Sequence, residues 1–294
     1  MSDIARSPAL VTPEARRDPL LTPRRKRLLT SVLLALVCAV WVYPLVWMIA
    51  ASFKPNAELF RGTGLIPDDP TLANYGRAWV EASISKYFFN TLFVTVGSVI
   101  LTTVSAALMG YVLGRRPLPG KVVIFGLMVF TLFIPQGYTI IPVFELLSTL
   151  GLGQSLWGLM LATCGNSIVI FTLLFAGYFT QVPKDLEEAA RMDGVGPVKT
   201  FWYVMLPLSR PIVVTVVVMQ TLQAWNDFLL PLVVTLANPE LRTLSVGIYS
   251  FKGEHFVDWG GMTAASAIAI VPVVILFLFL QRYFIDGLAG AVKG

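Results

Sequence analysis

Long apolar segments alternate with short polar connections from about residue 28 onwards. Six of these segments are long enough to cross the hydrocarbon core of a membrane as a helix, which takes about 20 residues. The pattern therefore predicts an all-α membrane protein with six transmembrane helices. We place the spans at residues 28–51, 88–113, 122–145, 157–180, 211–236 and 263–284.

Lysine and arginine residues are distributed unevenly between the two sides of these spans. With the N-terminus inside, seven precede the first span, three lie in connection 2–3, four in connection 4–5 and two at the C-terminus, against six outside. Because cytoplasmic segments carry the excess of basic residues, both termini and residues 181–210 are predicted to be cytoplasmic. Residues 1–27 are expected to be a disordered basic tail, 28–284 the transmembrane domain and 285–294 a cytoplasmic C-terminal tail.

The composition agrees with a membrane protein and excludes several other classes. Charged residues make up 13% of the chain, about half the share in a soluble domain, which is about 25%. The net charge of +5 follows mainly from the basic cytoplasmic segments, so nucleic acid is not an expected partner. Cys38 and Cys164 lie in apolar runs and His255 is the single histidine, so no metal site is predicted.

Small residues recur every four positions along the second span. Residues four apart share one face of a helix, and small side chains there allow two helices to approach closely. Helix packing is the favoured interpretation, and the lining of a pathway is the alternative. The residues are Ser98, Thr102, Ala106, Gly110 and Gly114.

The third and fifth spans carry the polar or helix-breaking residues of most interest. The stretch FIPQGYTIIP, residues 133–142, is predicted to be kinked or unwound, because each proline frees a backbone carbonyl. In the fifth span, Gln220, Gln223 and Asp227 fall on one helical face, with Asn226 adjacent. A carboxylate in a membrane costs about 2.5 kcal/mol or more unless it faces protein or water. These four residues are therefore candidates for a translocation pathway, and pairing of Asp227 with a neighbouring helix is the alternative.

A short charged helix is predicted within residues 181–210. Asp185 is the expected N-cap, Glu188 completes a capping box, and Glu187 and Arg191 are spaced for an ion pair along the helix. Gly194 is placed to end the helix. So short a helix is not stable alone in water and must dock on another surface. The face expected to dock consists of Leu186, Ala189, Ala190 and Asp193.

A second short helix is predicted to begin near Pro197. It carries three consecutive aromatic residues, and aromatic side chains are enriched at membrane interfaces. We therefore expect Phe201, Trp202 and Tyr203 to lie at the interface.

The segment EAARMDGVGPVKTFWYVMLP, residues 188–207, resembles the EAA signature of permease subunits of ATP-binding-cassette (ABC) importers. Val204 stands where the signature more often has isoleucine. The resemblance implies that this loop is a coupling helix, seated in a groove of a separate cytoplasmic ATPase subunit. The residues that would carry this role are Glu188, Ala189, Ala190, Gly194, Leu206 and Pro207.

Further segments resemble the carbohydrate-uptake branch of these permeases, in particular the maltose-type permease with the short N-terminus. They are YPLVWMIAASFK, AWNDFLLPLV, RTLSVGI and GLAGAVKG. This resemblance implies the type I importer fold and a C-terminal tail that reaches the ATPase. The tail residues concerned are Gly287, Leu288, Gly290, Val292, Lys293 and Gly294.

The chain lacks a nucleotide-binding motif of its own. The nearest candidate, from Gly114 to Lys121, has five residues between its glycines and Val122 in place of serine or threonine, whereas the P-loop needs four residues and a hydroxyl. The chain is therefore not expected to be an enzyme or to bind a cofactor. ATP and magnesium would be bound by partner subunits.

The resemblance implies a bacterial inner-membrane importer for a sugar or oligosaccharide. The partners would be a second permease subunit, two ATPase subunits, an extracytoplasmic solute-binding protein and the lipid membrane. The alternative is an ion-coupled carrier that works alone, for which only Asp227 and Glu145 offer membrane carboxylates. A membrane enzyme is a more distant alternative because no catalytic constellation is present.

Overall fold

The computed structural model describes residues 23–253 and 256–291, and the regular elements within these ranges are helical. The one β-interaction there is an isolated bridge between Lys252 and Val257. This confirms the predicted all-α class. The chain divides into two compact units, Met1–Trp47 and Met48–Gly294.

The helices follow one another with short connections. In chain order they are α1 (Pro23–Ser52), α2 (Asn56–Leu59), α3 (Ala73–Gly76), α4 (Ile84–Arg115), α5 (Lys121–Thr131), α6 (Gln136–Thr149), α7 (Leu156–Gln181), α8 (Asp185–Met192), α9 (Pro197–Thr200), α10 (Leu206–Leu208), α11 (Arg210–Asn226), α12 (Leu229–Val234), α13 (Leu244–Tyr249) and α14 (Trp259–Ala291). The π-helical turn Arg77–Glu81 continues α3, and the π-helical turn Phe201–Met205 joins α9 to α10. Pro239–Leu241 is a 3₁₀ turn.

Four helices in the described ranges are long and apolar enough to cross a membrane: α1, α4, α7 and α14. Two further crossings are possible only if two helices joined by a sharp bend form one span together. The pair Lys121–Thr131 and Gln136–Thr149 is bent by 104°, and the pair Pro197–Leu208 and Arg210–Asn226 by 78°. The described residues therefore offer four candidate spans, or up to six if each bent pair forms one span, and the predicted break in FIPQGYTIIP is confirmed.

Two predicted spans are not continuous helices. The span at 122–145 is divided between α5 and α6, because Pro135 adopts an extended backbone before α6. The span at 211–236 is divided between α11 and α12, because Asp227 is extended, with φ −63° and ψ 133°. Local hydrophobicity alone did not show the second break.

Both ends of the chain differ from their predicted boundaries. Helix α1 begins at Pro23, so residues 23–27 are helical and do not belong to a disordered tail. Helix α14 continues to Ala291, so residues 285–291 extend the last helix. The remainder of the predicted tails, residues 1–22 and 292–294, lies outside the described residues.

Helices α4 and α7 form the closest packing in the second unit. A Cβ at Gly110 would lie 2.5 Å from the Cβ of Phe175 and 2.9 Å from the backbone nitrogen of Ala176. A Cβ at Gly114 would lie 2.9 Å from the carbonyl oxygen of Ala176. Only glycine allows so close an approach of two backbones.

The other members of the small-residue face of α4 lie in the same contact region. Ser98, Thr102 and Ala106 are completely buried. The helix-packing interpretation of this face is therefore confirmed.

The segment before α4 is fastened to the start of α14 by hydrogen bonds and an ion pair. The side-chain amide of Asn56 donates to Asp258 at 2.9 Å and accepts from the backbone N–H of Gly260 at 2.7 Å, and Arg77 pairs with Asp258 at 3.2 Å. Burial would raise the pKa of Asp258. Hydrogen bonds from the backbone N–H of Gly261 and from the side chains of Asn56 and Arg77, together with the charge of Arg77, hold this pKa below its usual value. The carboxylate therefore stays ionised and holds the connection in place.

The close contact of α4 with α7 can be tested at Gly110. We expect Gly110→Ala to lower the stability of the purified chain by about 1–3 kcal/mol, because the added methyl group overpacks the contact. The control is Gly126→Ala, where a Cβ would meet nothing within 4 Å and where alanine favours the helix. Thermal melting in detergent measures both. Equal melting temperatures for the two variants would contradict the tight packing.

Candidate functional site

Helix α8 begins differently from the prediction. Lys184 is the N-cap and already has a helical backbone, without a side-chain cap. Asp185 therefore lies inside the first turn, where its carboxylate cannot cap, and the predicted capping box with Glu188 is wrong. The acidic residues Asp185, Glu187 and Glu188 instead occupy the first turn, where negative charge interacts favourably with the helix dipole.

Helix α8 ends as predicted. Gly194 has φ +74°, a left-handed conformation that glycine adopts without strain. Its N–H donates to the carbonyl of Arg191 at 2.9 Å, and the N–H of Val195 donates to the carbonyl of Ala190 at 2.9 Å. These two bonds are those of a Schellman motif, which fixes the direction in which the chain leaves α8.

The ion pair that anchors α8 was not predicted. Glu187 does not pair with Arg191 along the helix but with Arg115 at the end of α4, Nε to Oε1 at 3.1 Å. The two side chains are only 4% and 8% exposed. The pair is long-range, and in the sequence Arg115 was counted only as one of the basic residues that set topology.

Arg115 also completes the end of α7. Its Nη1 donates to the carbonyls of Phe179 and Val182 at 3.3 and 2.8 Å, and its Nη2 donates to the carbonyl of Pro183 at 3.3 Å. The last carbonyls of a helix have no partner within the helix, so one guanidinium supplies donors to this end. It thereby joins the ends of α4, α7 and α8.

The face of α8 predicted to dock is divided between two environments. Ala190 is buried against the chain itself, beside Glu187. Leu186, Ala189 and Asp193 are exposed, and Met192 is 88% exposed. The anchor at Glu187 turns its own side of the helix inwards and leaves the other side open.

The segment after α8 places its aromatic residues unequally. It begins at Pro197, as predicted. Phe201 is buried, with its ring 5.3 Å from that of Tyr111, so its predicted interfacial position is wrong. Trp202 and Tyr203 are exposed. Of the remaining signature residues, Glu188, Gly194 and Pro207 are exposed and Leu206 is half-buried.

The candidate pathway residues separate into two groups. Gln223, Asn226 and Asp227 line a cavity of about 290 Å³ at the break between α11 and α12. Gln220 is completely buried, and neither polar atom of its side chain has a hydrogen-bond partner. Because α11 ends at Asn226, the single helical face predicted for Gln220, Gln223 and Asp227 does not exist.

Three polar residues of this cavity were missed in the sequence. Gln136 from α6 and Thr163 and Asn166 from α7 also line it. Gln136 lies directly after the predicted break at Pro135, which was the available signal. Thr163 and Asn166 carried none, because single polar residues in a long apolar helix do not reveal which side they face.

The predicted C-terminal contact residues are only partly described. Gly287, Leu288 and Gly290 lie in the last turns of α14. Val292, Lys293 and Gly294 lie outside the described residues. Within the described ranges, histidine, cysteine and carboxylate side chains form no group of three that could hold a metal ion.

Comparison with known proteins assigns the family. Residues 106–289 match the family described as "Binding-protein-dependent transport system inner membrane component". The chain belongs to this family.

Relatives of similar length support the same assignment to ABC transporter permeases. The chain is 32% identical to the diacetylchitobiose uptake system permease protein NgcG of Streptomyces coelicolor, over 92% of this chain and 88% of that protein. It is 35% identical to the arabinooligosaccharides transport system permease protein AraQ of Halalkalibacterium halodurans, over 90% and 96%. The resemblance of the sequence to ABC permeases is thereby confirmed.

A solved structure shows the same fold. A chain from the crystal structure of a bacterial ABC transporter involved in the import of the acidic polysaccharide alginate superimposes with a TM-score of 0.77, at 23% identity, over 91% of this chain and all of that one. The present chain is therefore a member of a family of transport components. The family assignment leaves the alternative of an ion-coupled carrier without support.

The anchor of α8 can be tested by substitution. We expect Arg115→Met to lower stability by about 3–5 kcal/mol, because it leaves the buried carboxylate of Glu187 unpaired and removes donors from the end of α7. Glu187→Gln keeps an acceptor and should cost less. Arg191→Met makes the same chemical change at the partner first predicted for Glu187 and should cost little. Thermal melting measures the stability of the three variants. A larger loss of stability for Arg191→Met than for Arg115→Met would contradict the role of Arg115 as the anchor.

Proposed function

We propose that this chain is one permease subunit of an ATP-driven sugar importer in a bacterial inner membrane, with both termini in the cytoplasm. The observation that carries the proposal is the family match over residues 106–289. The named relatives serve uptake of diacetylchitobiose and arabinooligosaccharides, which supports a carbohydrate as the transported solute. A second permease, two ATPase subunits that bind ATP and magnesium, and an external solute-binding protein complete the assembly.

The ATPase subunit docks on α8 in this proposal. Glu188, Ala189 and Gly194 lie on the open side of the loop, and the small side chain of Ala189 allows close approach of another surface. Ala190 has a different role, because it packs α8 against its own chain. Leu206 and Pro207 belong to the following segment, which continues into α11.

The buried anchor explains how movement of α8 reaches the membrane. When ATP closes the ATPase pair, the displaced α8 pulls on Arg115 through Glu187 at 3.1 Å. Arg115 is part of α4 and is bonded to the end of α7, so both helices follow. The tightly packed α4 and α7 therefore tilt together between inward and outward access.

The cavity at the break in the fifth predicted span is the proposed segment of the sugar pathway. Amide and carboxylate groups are suited to sugar hydroxyls, which both donate and accept hydrogen bonds. Gln223, Asn226 and Asp227 offer such groups from α11 and its end, and Asn166 offers one from α7. Gln220 lies away from this cavity and is proposed to pack between helices. The C-terminal residues, from Gly287 to Gly294, are proposed as a second contact with the ATPase.

The docking surface can be tested at Ala189. We expect Ala189→Glu to abolish copurification of the cognate ATPase and ATP-driven uptake, because the larger, charged side chain prevents the close approach that alanine allows. The chain should still insert and fold. Ala73→Glu, the same change at an exposed position in α3, should retain the ATPase. Copurification from membranes and uptake into proteoliposomes measure the two effects. Sugar transport by the wild-type chain without any ATPase would contradict the proposed function.

The cavity can be tested by exchanging its glutamine. We expect Gln223→Leu to lower the uptake rate by about two- to tenfold, since each hydrogen bond to the sugar that is lost costs about 0.5–1.5 kcal/mol. Gln220→Leu makes the same change at a position outside the cavity and should leave the rate within about twofold, since its amide has no partner to lose. Uptake is measured with saturating loaded binding protein, and ATPase copurification should be unchanged in both. Equal losses of uptake would assign the cavity no role.

A further inference from the structure

A basic cleft of about 560 Å³ lies between the ends of α4 and α7, the start of α5 and the helix α8. Five basic residues line it: Arg115, Arg116, Lys121, Lys184 and Arg191. The acidic residues in its lining are Glu187 and Glu188. The proposed sugar pathway does not involve this cleft, and of the lining residues only Glu188 also belongs to the proposed ATPase contact.

The charges of the cleft do not balance. The buried pair of Arg115 and Glu187 is neutral as a unit. The other four basic residues then face a single carboxylate, that of Glu188. Like charges that converge in a partly enclosed space repel one another, and an anion in the cleft would relieve this repulsion.

Arg116 is held in position for such an anion. Its Nη2 donates to the hydroxyl of Tyr111 at 2.9 Å, and its guanidinium lies 5.4 Å from the centre of the same ring. These contacts use one face and one donor of the guanidinium. Its remaining donors are the kind that bind phosphate oxygens with defined geometry.

The cleft is formed where the long apolar helices α4 and α7 end, which is where lipid headgroups would lie if these helices cross a membrane. Helix α5 starts in the cleft at Lys121 and is apolar along the rest of its length, with no buried residue. Val122, Val123 and Phe130 are all strongly exposed. A basic cleft that continues directly into an exposed apolar helix matches a charged head followed by hydrocarbon chains.

We propose that this cleft binds the phosphodiester headgroup of an anionic phospholipid, whose acyl chains lie along α5. Basic pockets between the ends of membrane helices attract such headgroups. The phosphate would bridge the loop between α4 and α5 to the start of α8. Bound lipid would thereby hold the start of α8 against the loop between α4 and α5.

The experiment is a lipid titration of the purified full-length chain, read by native mass spectrometry. Dioleoyl phosphatidylglycerol is compared with dioleoyl phosphatidylcholine, which has the same chains and no net charge. We expect wild type to prefer phosphatidylglycerol, and Lys121→Gln/Lys184→Gln to weaken its binding on the order of tenfold without changing phosphatidylcholine binding. The control Lys26→Gln/Lys199→Gln makes the same charge change outside the cleft and should keep the preference.

Several outcomes would overturn the proposal. One is equal binding of the two lipids by wild type, which does not depend on the folding of any variant. A second is an equal loss in the control double variant, which would reduce the effect to net charge. A third is displacement of phosphatidylglycerol by millimolar inorganic phosphate, which would make the cleft a site for free phosphate. The last is displacement by the ATPase subunit, which would make it a protein contact.

Discussion

The position of one arginine determines how the parts of this structure act on one another. Arg115 ends α4, forms a buried ion pair with Glu187 of α8, and donates to carbonyls at the end of α7. A buried charge is tolerated only where its partners are complete, so these three helix ends cannot separate without a large loss of stability. The segment that contains α8 is thereby connected rigidly to α4 and α7, which pack tightly against each other.

The small residues of α4 make this arrangement possible. Gly110 and Gly114 bring the backbone of α4 against Ala176 of α7, and the next residue after Gly114 is Arg115. Because the two helices approach so closely, the guanidinium reaches the last carbonyls of α7. Packing in the apolar region and hydrogen bonding at its boundary therefore depend on each other, and a larger residue at either glycine would disturb both.

Features that depend on local chemistry were predictable from the sequence, whereas those that depend on distant partners were not. The apolar spans, the packing face of α4, the break near Pro135 and the glycine end of α8 all follow from residues close in the chain. The partner of Glu187 was mistaken because Arg115 is 72 positions away. Asp227 was placed in a helix because it lies within a long apolar segment. Phe201 was placed at the interface because it belongs to a run of aromatic residues, whereas its burial depends on the distant Tyr111.

The bend at Ser209 gives the following helix the properties of a lever. The segment Pro197–Leu208 meets α11 at 78°, so a push along the segment reaches α11 as a sideways force at its first turn. Helix α11 has 17 residues and is therefore about 25 Å long. If α11 pivots about a point near its first turn, a displacement there is magnified at the far end, where Gln223 and Asn226 are located. The width of the cavity can then change while every hydrogen bond within the helix stays intact.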